Sequence, residues 1–218
     1  MGRYTHVLFD LDGTVVDSSE GIVRGVQEGL SALGITEKDT ELIRARFIGP
    51  PLIDSFTAYY GLTEEQGWEA IRAYRVYYRR EGVLKYRVYE GIPELLHTLS
   101  SRGIKVWLAT SKPYEFAHRI LEDAGLLPYF DFVSGASLDA SRNTKEKVIE
   151  YALRENGVED TSRFLMVGDR HHDVVGAKEF GIDAVGILYG FGTREELIEC
   201  GAAYIAKDTD EVLSICLS

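Results

Sequence analysis

The sequence predicts an α/β protein, a doubly wound parallel sheet interrupted near its start by an all-helical insertion. Three observations carry this. His6-Val7-Leu8-Phe9 is an apolar run of strand length close to the N-terminus. From Thr36 to about Gly82 only helical patterns occur. From Val88 onward, short apolar runs alternate with amphipathic stretches, which implies right-handed crossovers and a parallel sheet with helices on both faces. The opening strand needs that later sheet to pair with. Residues 1–15 and 84–218 are therefore expected to form one core, and 16–83 an inserted helical cap domain.

Each element has a local reason. After the first strand, Asp17-Ser18-Ser19 offers N-cap chemistry for a helix to about Leu33, which Gly34 stops. Thr40 to Arg46 is a short helix, Pro50-Pro51 opens another through Tyr60, and Thr63 begins a longer one to Arg80. In that last helix Trp68, Ile71, Tyr74 and Tyr78 share a face and are expected to pack inside the insertion, with Tyr77 beside them. The second half then reads as a helix (Ile92 to Arg102), a strand (Lys105 to Ala109), a helix from Pro113 to near Gly125, and a strand (Phe130 to Val133). A helix (Thr144 to Asn156), a strand (Phe164 to Val167), a helix (His172 to Phe180) and a strand (Asp183 to Leu188) follow. A helix after Thr193, a strand at Ala203 to Ala206 and a final helix complete the pattern.

With 218 residues, 45% hydrophobic and 27% charged, the chain can bury one good core plus a small satellite domain. No early run suits a signal peptide or membrane span, so a cytoplasmic address is expected, with no membrane partner. Cys200 and Cys216 lie far apart without a CxxC and are expected to be reduced. A net charge of −11 without a basic stripe argues against nucleic acid. A phosphorylated substrate would need local compensation by a divalent cation and one or two lysines.

Chemistry concentrates in Asp10-Leu11-Asp12-Gly13-Thr14. Two carboxylates one residue apart at a strand end ionise together only if a cation lies between them or one keeps its proton. A solvated Asp/Gly turn is the plain alternative. A calcium loop fails, because its sixth and twelfth positions would be Val15 and Gly21 rather than Gly and Glu. A phosphoryl-transfer site fits: Asp10 attacks phosphorus, Asp12 manages the leaving-group proton, and a hard cation neutralises charge. In a doubly wound sheet such groups must gather at strand C-termini near the switch point. The sequence sets Asp10 and Asp12 after the first strand, Thr110-Ser111-Lys112 after the Trp107 strand, Lys145 opening a helix, and Asp169 with Asp173 after the Phe164 strand. His171-His172 invites a transition metal, but neighbouring positions on a helix point apart, so no shared ion is expected there.

Asp10 to Thr14, Thr110, Lys145 and the run Gly168-Asp169-Arg170-His171-His172-Asp173 together resemble the four motifs of the haloacid dehalogenase-like phosphatases, which have a Rossmann-like core. The helical insertion is similar to the small cap of the subclass that contains phosphoglycolate phosphatases. Phe47-Ile48-Gly49-Pro50-Pro51, and Gly135 to Leu138 with Thr144-Lys145, look most like bacterial phosphoglycolate phosphatase, 5′-nucleotidase and pyrophosphatase relatives.

The resemblance implies Asp10 as nucleophile, Asp12 as acid and base, Thr110 on the phosphoryl oxygens, and Lys145 keeping Asp10 ionised. Lys112 competes for the role of catalytic lysine. Leu11, Gly13, Ser111 and Lys112 would complete the substrate-binding set with Thr110 and Lys145. Magnesium (Mg2+) would be held by the Asp10 carboxylate, the Asp12 main-chain carbonyl and Asp169, with Asp173 orienting Asp169 or a bound water. Arg46 and Arg24 are candidate cap contacts to a substrate anion.

The expected activity is hydrolysis of a small phosphomonoester, phosphoglycolate-like first, with a 5′-nucleotidase, a pyrophosphatase or a phosphomutase as alternatives. A dehalogenase would have no task for Asp12, and a membrane pump would need spans. A regulatory phospho-acceptor domain would lack the insertion. Monomer and homodimer both remain open.

Overall fold

The computed structural model describes residues 2–218. Its chain falls into two compact units, one ending at Val16 and resuming over Val88–Ser218, the other Asp17–Arg87.

The larger unit is built on a six-stranded sheet. Its strands are β1 (His6–Phe9), β4 (Lys105–Pro113), β5 (Phe132–Ala136), β6 (Phe164–Gly168), β7 (Asp183–Ile187) and β8 (Tyr204–Ala206), ordered β5-β4-β1-β6-β7-β8. Every pairing between neighbours is parallel. Helices α5 (Ile92–Ser101), α6 (Tyr114–Asp123), α7 (Lys145–Glu155), α8 (His171–Lys178), α9 (Arg194–Glu199) and α10 (Thr209–Cys216) alternate with these strands, as the apolar periodicity requires. From β1 the chain winds outward through β4 and β5, then returns to β6 on the other side and continues outward again. The topological switch point therefore lies beside β1, where Asp10 and Asp169 leave adjacent strands. Leu8, Trp107 and Met166 from the sheet pack with Val148, Ile149 and Val174 from α7 and α8 in one buried cluster. That cluster anchors the helix starts carrying Lys145 and Asp173.

The smaller unit is helical, with α1 (Ser19–Ala32), α2 (Thr40–Phe47), α3 (Leu52–Tyr60) and α4 (Glu64–Arg80). Gly25 and Gly29 on α1 let α4 approach: a Cβ at residue 25 would meet the Tyr74 ring at 2.6 Å, and one at residue 29 the Ala70 carbonyl oxygen at 2.7 Å. Ile71, Tyr74 and Tyr78 are buried as expected, whereas Trp68 and Tyr77 lie at the margin; Gly67, against Ile53 and Phe56 of α3, and Ala70, against Gly29 of α1, fill the buried face instead. The Arg75 guanidinium sits over Trp68 at 6.0 Å. Arg24 pairs with Glu28 at 2.7 Å, and Arg46 lies over Tyr59 at 4.7 Å.

The first insertion helix starts at Ser19 as expected from the capping run, with Asp17 Oδ1 accepting from Ser19 N–H at 3.0 Å. Three local features depart from the sequence reading. Two-residue strands β2 (Val16–Asp17) and β3 (Arg87–Val88) form a separate two-stranded sheet too short to leave a periodic signal. Strand β4 runs on through Thr110-Ser111-Lys112 to Pro113, with a register shift against β5 between Thr110 and Pro113. Strand β5 begins at Phe132 because a 3₁₀ turn at Leu127–Tyr129 delays it. Cys200 and Cys216 are both free thiols. Among the described residues no helix is long and apolar enough to cross a membrane.

Candidate active site

Strand β1 ends in a turn that the sequence can make only with glycine. The Leu11 carbonyl accepts from Val15 and Val16 N–H at 2.9 and 3.0 Å, and Gly13 N–H returns to Val16 O at 2.8 Å. Gly13 has φ +89°, and a Cβ there would lie 2.2 Å from Asp169 Oδ2. Glycine is thus demanded by backbone conformation and by space. Leu11 is wholly buried, so only its main chain can serve a ligand.

The structure brings Asp10, Asp169 and Asp173 together: one carboxylate oxygen from each lies within 4.8 Å of the others, and all three residues are buried. Burial pushes the Asp10 carboxyl up to about 6, against the opposing pull of Lys145. Burial, with Asp173 and Asp10 nearby, also raises Asp169 well above the ordinary carboxylate range. Lys145, opening α7, stands among them, its Nζ 2.7 Å from Asp10 Oδ1, 2.7 Å from Asp173 Oδ1 and 2.8 Å from the Ala109 carbonyl. Burial works against its charge, but the two carboxylates prevail and hold the ammonium above its usual value. All three of its donors are committed.

The other lysine has a different partner. Lys112 Nζ lies 2.9 and 2.7 Å from the two oxygens of Asp12, away from Asp10. The two lysines thus contact different carboxylates of the Asp-x-Asp pair, Lys145 that of Asp10 and Lys112 that of Asp12. Thr110 is buried at the same sheet edge, its Oγ1 accepting from Lys112 N–H at 3.2 Å, while Ser111 is partly exposed. The carboxylate of Asp12 stands outside the three-carboxylate cluster.

Several residues at this centre carry no sequence motif. Phe191 N–H donates to Asp169 Oδ2 at 2.7 Å, and a Cβ at Gly190 or Gly192 would collide with Asp169 at 2.4 or 1.8 Å. A Gly-x-Gly following a buried strand was the available clue. Glu196 on α9 accepts from His171 N–H at 2.9 Å and Arg170 Nε at 3.0 Å, with His171 Nδ1 at 2.8 Å. Despite opposing burial, these donors hold Glu196 down to about 2. Glu196 thereby pins the start of α8, where Arg170 N–H also caps onto Asp173 Oδ2 at 3.1 Å. His171 and His172 do not point apart: their ring centroids are 3.7 Å apart, because the first turn of α8 begins at His171 and Glu196 draws its ring aside. Burial and the neighbouring His171 lower His172 to about 4, and neither ring joins the acidic cluster.

The doubly wound parallel sheet, with three buried carboxylates, two lysines paired to aspartates and a buried threonine where its strands end, defines a class of α/β proteins with an acidic centre at the switch point. Residues 7–187 match the family model described as haloacid dehalogenase-like hydrolase, and the chain belongs to that family. It is 44% identical over 195 residues to a 5′-nucleotidase of Pseudomonas aeruginosa, covering 89% of this chain and 87% of that one. It is 39% identical to the tyrosine-protein kinase PtkA of Mycobacterium tuberculosis, over 87% of this chain and 64% of that protein. The crystal structure of a predicted phosphatase from Clostridium acetobutylicum superposes with TM-score 0.93 at 42% identity, covering 97% of each chain. The protein is accordingly a hydrolase of the phosphatase kind.

Proposed function

We propose that the protein hydrolyses a small phosphomonoester with magnesium, through a phosphoryl group carried on Asp10. One observation carries the reading: three buried carboxylates converge while a single ammonium, Lys145, stands among them. Protein charges alone leave Asp10 at about 6 and Asp169 raised, so a further positive charge fits the site. The donors are hard oxygens, which suit magnesium. Asp10, Asp169 and the Asp12 carbonyl would hold it, with Asp173 steering; when bound, the ion supplies charge neutralisation for the phosphoryl oxygens.

The chain's own residues account for the rest. An Asp10 carboxylate oxygen attacks phosphorus as the ester P–O bond breaks, and Asp12 gives the departing alkoxide a proton. Water then attacks phosphorus, Asp12 takes its proton, and inorganic phosphate leaves with Asp10 restored. Thr110 donates its hydroxyl hydrogen to a phosphoryl oxygen, and Lys145 offsets the charge between nucleophile and phosphate.

Substrate selection is assigned to the helical unit Asp17–Arg87. Because one relative is named a 5′-nucleotidase, the assay panel starts with phosphoglycolate and nucleoside monophosphates and goes on to pyrophosphate and glucose 1-phosphate. Phosphate release ranked by kcat/KM, with magnesium and then with chelator, tests the reading. Because one relative is named a tyrosine-protein kinase, transfer from ATP to a tyrosine peptide belongs in the same assay. Phosphopeptide formation without phosphate release would replace water by a protein hydroxyl as acceptor.

A further inference from the structure

We infer that Lys112 is a positioning residue for Asp12: it holds the proton-transferring carboxylate in its working orientation and acts through that carboxylate, not on the phosphoryl group. The inference rests on the phosphomonoesterase reading above.

Four observations carry it. The Lys112 ammonium meets both oxygens of Asp12, at 2.9 and 2.7 Å, so the carboxylate is fixed in rotation as well as in place. The pair is well enclosed, with side-chain exposures of 5% and 14%. Water therefore competes poorly for either partner.

Lys145 cannot substitute, because its three donors go to Asp10, Asp173 and the Ala109 carbonyl.

The third observation is how the chain delivers Lys112. β4 continues through a register shift to Pro113, so Thr110 and Lys112 stand two apart on one segment. The Lys112 N–H on Thr110 Oγ1 at 3.2 Å ties the two residues locally. One segment thus delivers both the hydroxyl for the phosphoryl group and the ammonium for the acid.

The fourth is what permits that segment. At the register shift, Gly135 of β5 faces the main chain that follows: a Cβ there would lie 2.9 Å from the Lys112 carbonyl and 2.6 Å from Tyr114 Cα. Only glycine leaves room there for the β4 chain to pass through the register shift to Lys112 and Pro113. A buried ion pair adds little net stability over an apolar pair of similar volume. Holding a carboxylate still at the point of proton transfer gives this one a task.

The test is a four-variant cycle (wild type, K112M, D12N and D12N/K112M) on an alkyl phosphate and on 2,4-dinitrophenyl phosphate, whose leaving group needs no proton. K112M is expected to lower kcat on the alkyl ester by about 100-fold. The loss on the dinitrophenyl ester should be only a few-fold, with KM little changed on both. In the D12N background K112M should cost nothing further. K112R, which keeps the charge and can still reach both oxygens, should recover part of the alkyl-ester rate, and it substitutes for K112M if that variant does not fold. Equal losses on both esters, additivity with D12N, or a raised KM at unchanged kcat would each overturn the inference; the last would put Lys112 on the phosphate itself. Should the wild type release phosphate from neither ester, the parent reading falls and this inference with it. Should the wild type turn over while K112M loses equally on both, only the assignment to Lys112 falls.

Discussion

Lys145 Nζ lies 2.7 Å from Asp10 Oδ1, although 135 positions of sequence separate the two residues. Asp173 holds the same ammonium at 2.7 Å, so one buried cation divides its charge between Asp10 at the end of β1 and the acidic start of α8. K145M removes that charge from both carboxylates at once. Turnover is expected to fall by on the order of 10³-fold. In chelator, stability should drop by about 3–5 kcal/mol, the loss that follows when a buried pair loses one member. Urea unfolding of wild type and K145M, with and without magnesium, checks this: the ion should stabilise the variant more than the wild type.

Gly13→Ala tests whether the turn is set by space. The added Cβ would meet Asp169 Oδ2 at 2.2 Å and would have to adopt φ +89°. A loss of about 2–4 kcal/mol is expected, together with loss of phosphatase activity, since Asp169 is the group displaced. Thermal unfolding and phosphate release measure the two effects. Normal activity in a stable G13A protein would show that Asp169 can move without consequence.

Glu196 gives a pH signature. Its carboxyl is held down to about 2 from 4.5 by the His171 and Arg170 donors, against the effect of burial. A lowered folded-state value contributes stability above the unfolded value and loses it as pH falls through the folded one. The stability difference between wild type and E196Q should therefore be steady at about 1–2 kcal/mol from pH 7 to 5. It should shrink below pH 4.5 and vanish towards about 2. Urea midpoints across that range decide. A difference that grows on acidification would remove the assigned ionic contacts.

Asp169→Asn separates binding of the ion from the covalent step. With Phe191 N–H and the Gly13 turn still in place, the amide can occupy the same position. The variant should fold and should need at least about 10-fold more magnesium for half-maximal activity. D10N, in contrast, should be inactive at any magnesium concentration, with its fold intact by circular dichroism. Activity of D10N would move the nucleophile elsewhere.

The sheet and the identities of its polar C-termini were legible because both are local. Apolar runs such as Val7 to Phe9 and Leu165 to Val167 are wholly buried, and burial on both faces is what a continuous apolar run encodes. Asp10, Thr110, Lys145 and Asp169 were found from the rule that ligands gather where strands end. Other features depend on partners far along the chain. No residue type announces that Phe191 will lend a main-chain N–H to Asp169, that Glu196 will clamp His171, or that β4 will run past Thr110. A backbone donor has no side-chain signature, and a register shift reflects the neighbouring strand more than its own sequence.

By itself, then, the sequence determined the order of the six core strands and of the helices, the inserted helical block and the acidic groups that meet at the switch point, since hydrophobic period and strand-end position are properties of short segments. Only the tertiary structure decided which lysine serves which aspartate. That choice turns on a few ångströms of reach between strands, and on the absence of a Cβ at Gly135 that lets β4 continue to Lys112.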